Sequence, residues 1–396
     1  MERKKICYFI FAVGAAKGGH YRSLATIAEE SAKYNDCVIV NLGYTHASPI
    51  QNSAVKSHFV YFNGWNLFQA LKSVTKLVDM STVDCFHTFD SVSFLVARKL
   101  AQSYKIPVVT TKCGGPVPKK YFPKAPYITL FSEEDFEYFI NTNKFKNAKI
   151  ELIPNRVSPF CPDQAKIDYL KNKYSLQDKI VFLRITRIAK YYKKSITQSI
   201  NLVRKLQDHF PNVALLVVGH NQHPEELLEL EKENAGCNIF FETEESIIAD
   251  AKRIIDVADY VIGTGRGFME ASSKGKILLS PSQNGDYPVL INESNFKVAF
   301  SRNFSERIEF NQVILDNNFQ EIISLLDTPQ KSLYFRKLSM QRYERYFSIE
   351  KGIEKYNKLY QIATYKDDLK IDILRNWIFA IRQNLGTWYR NAKKML

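Results

Sequence analysis

What most constrains this chain is a strand–helix alternation that runs through it twice. Short apolar runs at 6–13, 37–42, 58–62, 83–89, 108–111, 128–131 and 150–153 read as strands, with helical patterns such as 24–33 and 91–104 between several of them. The pattern then restarts. Strands are predicted at 180–185, 213–218, 239–241, 260–262, 277–279 and 298–300, and helices at 196–210, 224–234, 247–257 and 267–274. Such alternation means parallel sheets covered on both faces. Two series imply an α/β chain of two Rossmann-like parallel-sheet domains facing across a cleft. Pro154, Pro159 and Pro162 crowd the stretch between the series, which places the linker there. The expected domains are 1–158 and 159–342.

Ligands of open parallel sheets sit beyond the carboxyl ends of the strands, where the strand order reverses. Chemistry is therefore sought just after strands. The first strand runs into Gly14 and then Gly18-Gly19-His20, with a helix beginning near Tyr21. Glycines there let a backbone approach a ligand and leave helix-start N–H groups for an anion. Lys17, Gly18, Gly19 and Ser23 also align with a ParA-type phosphate loop, K-G-G-x-G-K-S/T, but Tyr21 and Arg22 replace its third glycine and its second lysine. A tight strand–helix turn is the plainer alternative. His87 ends the fourth strand, where it could bind a sugar hydroxyl, stabilise developing charge, or be a satisfied structural histidine. Lys112-Cys113-Gly114-Gly115-Pro116 is a further glycine turn at a strand end.

In the second series, Arg187 and Lys193 follow the first strand, with Lys190 and Lys194 beside them. Fixed cations at a cleft mouth suit a diphosphate and its departure as a leaving group. A solvated basic loop is the alternative. The most informative segment is Gly263-Thr264-Gly265-Arg266-Gly267-Phe268-Met269-Glu270-Ala271. It reads as a strand end, a glycine turn and a helix start, whose N–H groups could hold phosphate. Glu270 falls in the first helical turn and could reach a ribose diol.

The net charge of +14 fits an anionic substrate, an anionic membrane or simply a solvated surface. Nucleic acid is not expected: no zinc-finger spacing, basic helix with heptads or RNA-binding aromatic signature occurs. No cysteines are spaced C-x-x-C, and Cys7, Cys37, Cys85 and Cys113 sit in or beside apolar runs. They read as reduced thiols of a cytoplasmic protein. The charged residues 2–5 followed by 6–16 resemble a signal peptide, but the short, β-rich run reads better as a first buried strand. No metal-ligand spacing or cofactor motif is found, so neither a metal nor a cofactor is expected.

Taken in order, the Gly18-Gly19 loop, Ile153-Pro154-Asn155, Arg187 with Lys193, and Gly263 to Ala271 followed by Gly275-Lys276-Ile277 resemble retaining GT-B glycosyltransferases of the family-four type. The resemblance covers about residues 5 to 360. It implies metal-independent transfer of a sugar from a nucleotide diphosphate donor, UDP or GDP undecided, to a glycan or lipid-linked acceptor in surface polysaccharide biosynthesis. Arg187 and Lys193 would bind the diphosphate and Glu270 the ribose. His87 would contact the donor sugar, and Gly18, Gly19 and His20 would face the reacting region. One departure is clear: the family's first glutamate is Ile262 here, which leaves the donor sugar to the 263–267 backbone or Arg266. An epimerase on the same architecture and an inactive scaffold are the alternatives.

The resemblance also implies a helix, about 343–366, returning to the first domain. Beyond it, Ile371, Leu374, Ile378, Ile381, Leu385 and Trp388 recur every three or four residues. Arg375, Arg382, Arg390, Lys393 and Lys394 add charge, and Trp377, Trp388 and Tyr389 suit a lipid interface. The 367–396 segment is thus expected to lie on the inner face of an anionic membrane, or else to pack on the protein itself or on a second subunit.

Overall fold

The computed structural model describes residues 2–14, 16, 18–115, 117–118, 122–370 and 372–395, and their side chains except those of 368 and 387–395. Lys17, Pro116 and Ile371, and the side chains of Trp388, Tyr389, Arg390, Lys393 and Lys394, lie outside the described residues.

The chain forms two compact units, one of residues 1–158 with 349–396 and one of 159–348. In unit 1 the strands are β1 (Lys5–Ala12), β2 (Asp36–Gly43), β3 (Ser57–Tyr61), β4 (Cys85–Thr88), β5 (Val108–Lys112), β6 (Tyr127–Leu130) and β7 (Lys149–Leu152). They form a sheet in the order β3-β2-β1-β4-β5-β6-β7, every pairing parallel. Unit 2 holds β8 (Ile180–Ile185), β9 (Val213–Val218), β10 (Ile239–Glu242), β11 (Tyr260–Ile262), β12 (Ile277–Ser280) and β13 (Val289–Leu290). Their order is β10-β9-β8-β11-β12-β13, with only the β12–β13 pair antiparallel. Strand order reverses between β1 and β4 in unit 1, and between β8 and β11 in unit 2.

β1 is buried from Ile6 to Ile10 because helices cover both faces of its sheet. Helix Ser91–Tyr104 packs on one face. Helix Gly19–Ser31 packs on the other together with helix Ile349–Ile362, whose Ile353, Tyr356, Leu359 and Tyr360 are buried there. This return begins later than expected. Residues 343–348 belong to unit 2, where Tyr343–Phe347 forms one π-helical turn.

The strand expected at 298–300 is instead part of helix Phe296–Ser301. Phe296, Val298 and Phe300 mimic strand alternation, but the four-residue spacing of Phe296, Phe300 and Phe304 decides the outcome. The Phe296 and Phe300 rings stack at 5.5 Å, and Phe300 meets Phe304 at 6.2 Å.

Helix Ile373–Met395 docks on unit 1. Arg98 is fully buried and donates to the Leu369 carbonyl at 2.9 Å and to Asp372 at 3.1 Å. Asn376 Nδ2 donates to the Ser91 carbonyl and Trp377 Nε1 to the Gly64 carbonyl, both at 2.8 Å. Among the described residues, no helix is long and apolar enough to cross a membrane.

Candidate functional site

In unit 2, β8 and β11 are neighbours flanking the switch point, so the loops at their carboxyl ends emerge side by side. The β8 loop carries Arg187 and leads into helix Lys193–Gln207, which starts with Lys193 and Lys194; the β11 loop is Gly263–Thr264, which opens helix Gly265–Ser272.

A side chain at Gly263 would place its Cβ 2.7 Å from the Phe268 Cα, so only glycine lets the turn fold back on its own helix. Gly265 has φ +48, whereas a Cβ at Gly267 would meet nothing within 4 Å. The N–H groups of these glycines are already used: Gly263 donates to Leu279 O, Gly265 to Asn303 O and Gly267 to Thr264 O. The expected phosphate cradle from these three N–H groups is therefore not presented.

Glu270 is almost buried, and its Oε1 accepts from Arg266 Nε at 2.7 Å. A carboxylate has about four acceptor positions, so this pairing leaves capacity for a diol. Arg266 is held on its own helix by the same contact. Arg187 is exposed; its guanidinium lies 5.0 Å from the centre of the Tyr192 ring and donates to the Tyr192 hydroxyl. Lys193 is bound to two carboxylates, Glu226 at 3.0 Å and Glu229 at 3.1 Å. Those partners raise its pKa and hold its charge toward helix Pro224–Glu233, not as the second open cation the sequence led us to expect. Lys194 Nζ donates to the Gln283 carbonyl.

Sequence reasoning missed Arg184. It is fully buried on β8, where its Nη1 donates to the Ile262 carbonyl at 3.1 Å. Its Nη2 reaches Ser195 Oγ at 3.0 Å and Glu306 Oε1 at 2.8 Å. Ser195 lies in the first turn of the helix that follows the Arg187 loop, and Ile262 ends β11 just before the glycine turn, so one guanidinium fastens both loops. The signal was present: a charge inside the apolar run 180–185 must be paired to be buried.

At the switch point of unit 1, Gly14 is left-handed at φ +61, but Gly18 is extended and a Cβ at Gly19 would meet nothing within 4 Å. The His20 ring lies 3.8 Å from that of Tyr21, and burial lowers its pKa to about 4. It therefore stands neutral at physiological pH. Asp90 braces this point by accepting from Phe11 N at 2.7 Å and from Val92 N and Ser93 N at 2.9 and 2.7 Å.

His87 requires a correction. Its ring is fully buried, with Nδ1 2.7 Å from the Tyr360 hydroxyl and Nε2 2.7 Å from Thr111 Oγ1. Tyr8, Phe89, Tyr356 and Tyr360 surround it. Burial lowers its pKa to about 3. The returning helix covers this end of β4, so His87 joins strand to helix and both its ring nitrogens are already partnered. The cysteines in or beside the first sheet carry no nucleophile signature either: burial pushes the Cys7 thiol up, Cys37 to about 11 and Cys85 and Cys113 to about 12.

No family model and no curated protein matches the sequence. Solved structures do match. Anabaena Alr3699/HepE, crystallised with UDP and glucose, superimposes with a TM-score of 0.64 at 14% identity over 91% of this chain and all of that one. Sucrose-phosphate synthase from Thermosynechococcus elongatus gives 0.57 at 16% identity, over 91% of this chain and 98% of that one. UDP-GlcNAc 2-epimerase from Neisseria meningitidis, bound to UDP-GlcNAc, gives 0.58 at 13%, over 89% and 98%. At such identities the likeness establishes the fold, and the fold is GT-B.

Proposed function

We propose that this chain is a glycosyltransferase that moves a sugar from a nucleotide diphosphate to a glycan or lipid-linked acceptor, with retention and without a metal, in surface polysaccharide biosynthesis. The observation that carries the reading is the adjacency, at the switch point of unit 2, of the Arg187 loop and the glycine turn that leads to Glu270. Glu270 takes the ribose hydroxyls. Arg187 meets the diphosphate, and Lys193 joins it by exchanging Glu226 and Glu229 for phosphate oxygens. The UDP complexes of GT-B neighbours support a nucleotide-sugar donor.

In the reaction the bond from the anomeric carbon to phosphate oxygen breaks as the acceptor oxygen bonds the same face. The nucleotide diphosphate leaves with the electron pair, and its departing oxygen takes the acceptor's proton. Arg187 stabilises the charge that develops. Gly18, Gly19 and the neutral His20 line the acceptor side. The chain works in the cytoplasm, and a lipid-linked acceptor would be met at the inner membrane face, where the C-terminal helix attaches.

The test is thermal unfolding of the purified protein against UDP, GDP, CMP and their sugar conjugates. A ligand that binds only the folded state raises Tm, with about 2.7 kcal/mol gained at a hundredfold excess over Kd. One nucleotide diphosphate is expected to raise Tm, and Glu270→Ala to abolish the rise. A flat response at millimolar ligand overturns the reading in favour of the scaffold. Conversion of the bound sugar nucleotide to its epimer without an acceptor would establish the epimerase instead.

A further inference from the structure

Unit 1 carries an exposed apolar surface that its own packing does not use. The turn after β3 is braced by asparagines: Asn63 Oδ1 accepts from Trp65 N at 3.0 Å and Asn66 N at 3.1 Å, and Asn66 Oδ1 accepts from Asn63 N at 2.9 Å. This Asx-type bracing holds Trp65 outward at 63% exposure, next to Phe68 at 81% on helix Leu67–Leu77. The turn sits directly against the C-terminal helix. A Cβ on Gly64 would lie 3.2 Å from Ile381 Cα and 3.1 Å from Asn384 Nδ2.

On that helix Ala380 and Asn384 are buried against unit 1, while Leu374, Ile378 and Leu385 are 63%, 58% and 50% exposed. Their spacings of four and seven place them on one line down the helix, apart from the buried face. The helix thus has two apolar faces, one covered and one open. Charge gives the open face its partner. Neither helix 67–77 nor helix 373–395 contains an acidic residue, whereas Lys72 and Lys76 lie on the first and Arg375, Arg382, Arg390, Lys393 and Lys394 on the second.

We propose that the Trp65 turn, helix 67–77 and the open face of helix 373–395 form one surface that rests on an anionic lipid bilayer. Aromatic and aliphatic side chains enter the headgroup boundary while lysines and arginines meet lipid phosphates. The proposal extends the membrane-side part of the reading above to a second element, and it does not depend on the donor site.

Flotation of the full chain with vesicles tests it. Binding is expected to phosphatidylcholine vesicles containing phosphatidylglycerol, to be weak on phosphatidylcholine alone, and to fall with added salt. Trp65→Ser with Phe68→Ser, and separately Ile378→Ser with Leu385→Ser, should each lower the bound fraction at least tenfold. Leu333→Ser, an exposed apolar residue of unit 2, should bind like the parent. All these side chains are exposed, so Tm and its nucleotide-induced rise should be unchanged, which separates this result from failure of the donor reading. The proposal is overturned if the chain ignores anionic vesicles or if neither double variant affects flotation. It is equally overturned if sedimentation shows a dimer that both double variants dissolve.

Discussion

His87 shows how one residue's environment sets its role. Its folded pKa, near 3, lies below the unfolded value of about 6.5. The unfolded chain therefore binds the extra proton first as pH falls, so this contribution is complete above about pH 6.5 and declines between there and pH 3. From pH 6.5 to 5 the loss should be about 2 kcal/mol. His87→Gln, which cannot take up the proton, should be less stable at pH 7.5 but should lose less between pH 6.5 and 5. Urea unfolding at both pH values measures the difference, and parallel curves would remove His87 as the titrating group. The glycines make a similar contrast. Gly263→Ala should cost roughly 1–3 kcal/mol because its methyl meets backbone. Gly267→Ala should be neutral or stabilise by up to about 1 kcal/mol, since it has room and a helical position. Denaturant midpoints distinguish the two.

At the scale of elements, the switch point of unit 2 depends on Arg184 binding one strand's loop to another's. Arg184→Met removes three hydrogen-bond partners and leaves Glu306 without its cation. Breaking such a pair typically costs about 3–5 kcal/mol, whereas Arg184→Met with Glu306→Gln should recover part of that loss. If the loops matter for donor binding, the double variant should still bind nucleotide more weakly than the parent at a temperature where both are fully folded; calorimetric titration reads this directly. The strands themselves were legible because β1 and β9 are continuous apolar runs bounded by polar or glycine positions, and β8 is such a run broken only by Arg184. Helix 296–301 was not, because three alternating apolar residues fit either period and packing on Phe304, Tyr346 and Phe347 decides between them. The candidate site was legible as positions after strands. The state of its groups was not: Lys193 is claimed by glutamates 33 and 36 residues away, and the glycine N–H groups by Leu279 and Asn303. Local sequence does not contain those partners.

At the scale of the molecule, unit 2 is continuous in sequence, whereas unit 1 is closed only by residues 349–396. The Tyr8–Tyr360 hydroxyl contact at 3.2 Å and the His87–Tyr360 bond at 2.7 Å span 352 and 273 residues. The cover over His87 was illegible at β4 for this reason. The same topology makes a kinetic prediction. Loop closure costs only about 0.6 kcal/mol per doubling of length once ends meet, but distant contacts slow folding because their entropy is lost before they are rewarded. Helix 193–207 packs on β9, which follows it closely in sequence. Helix 349–362 must find β1 and β4 across the whole inserted unit. In pulse-labelling hydrogen exchange during refolding, amides of helix 193–207 should gain protection before those of helix 349–362. Ile353→Ala should speed unfolding more than it slows folding, because its contacts form late. Simultaneous protection of the two helices, or a folding rate that falls with Ile353→Ala as much as stability does, would place the return inside the folding nucleus instead.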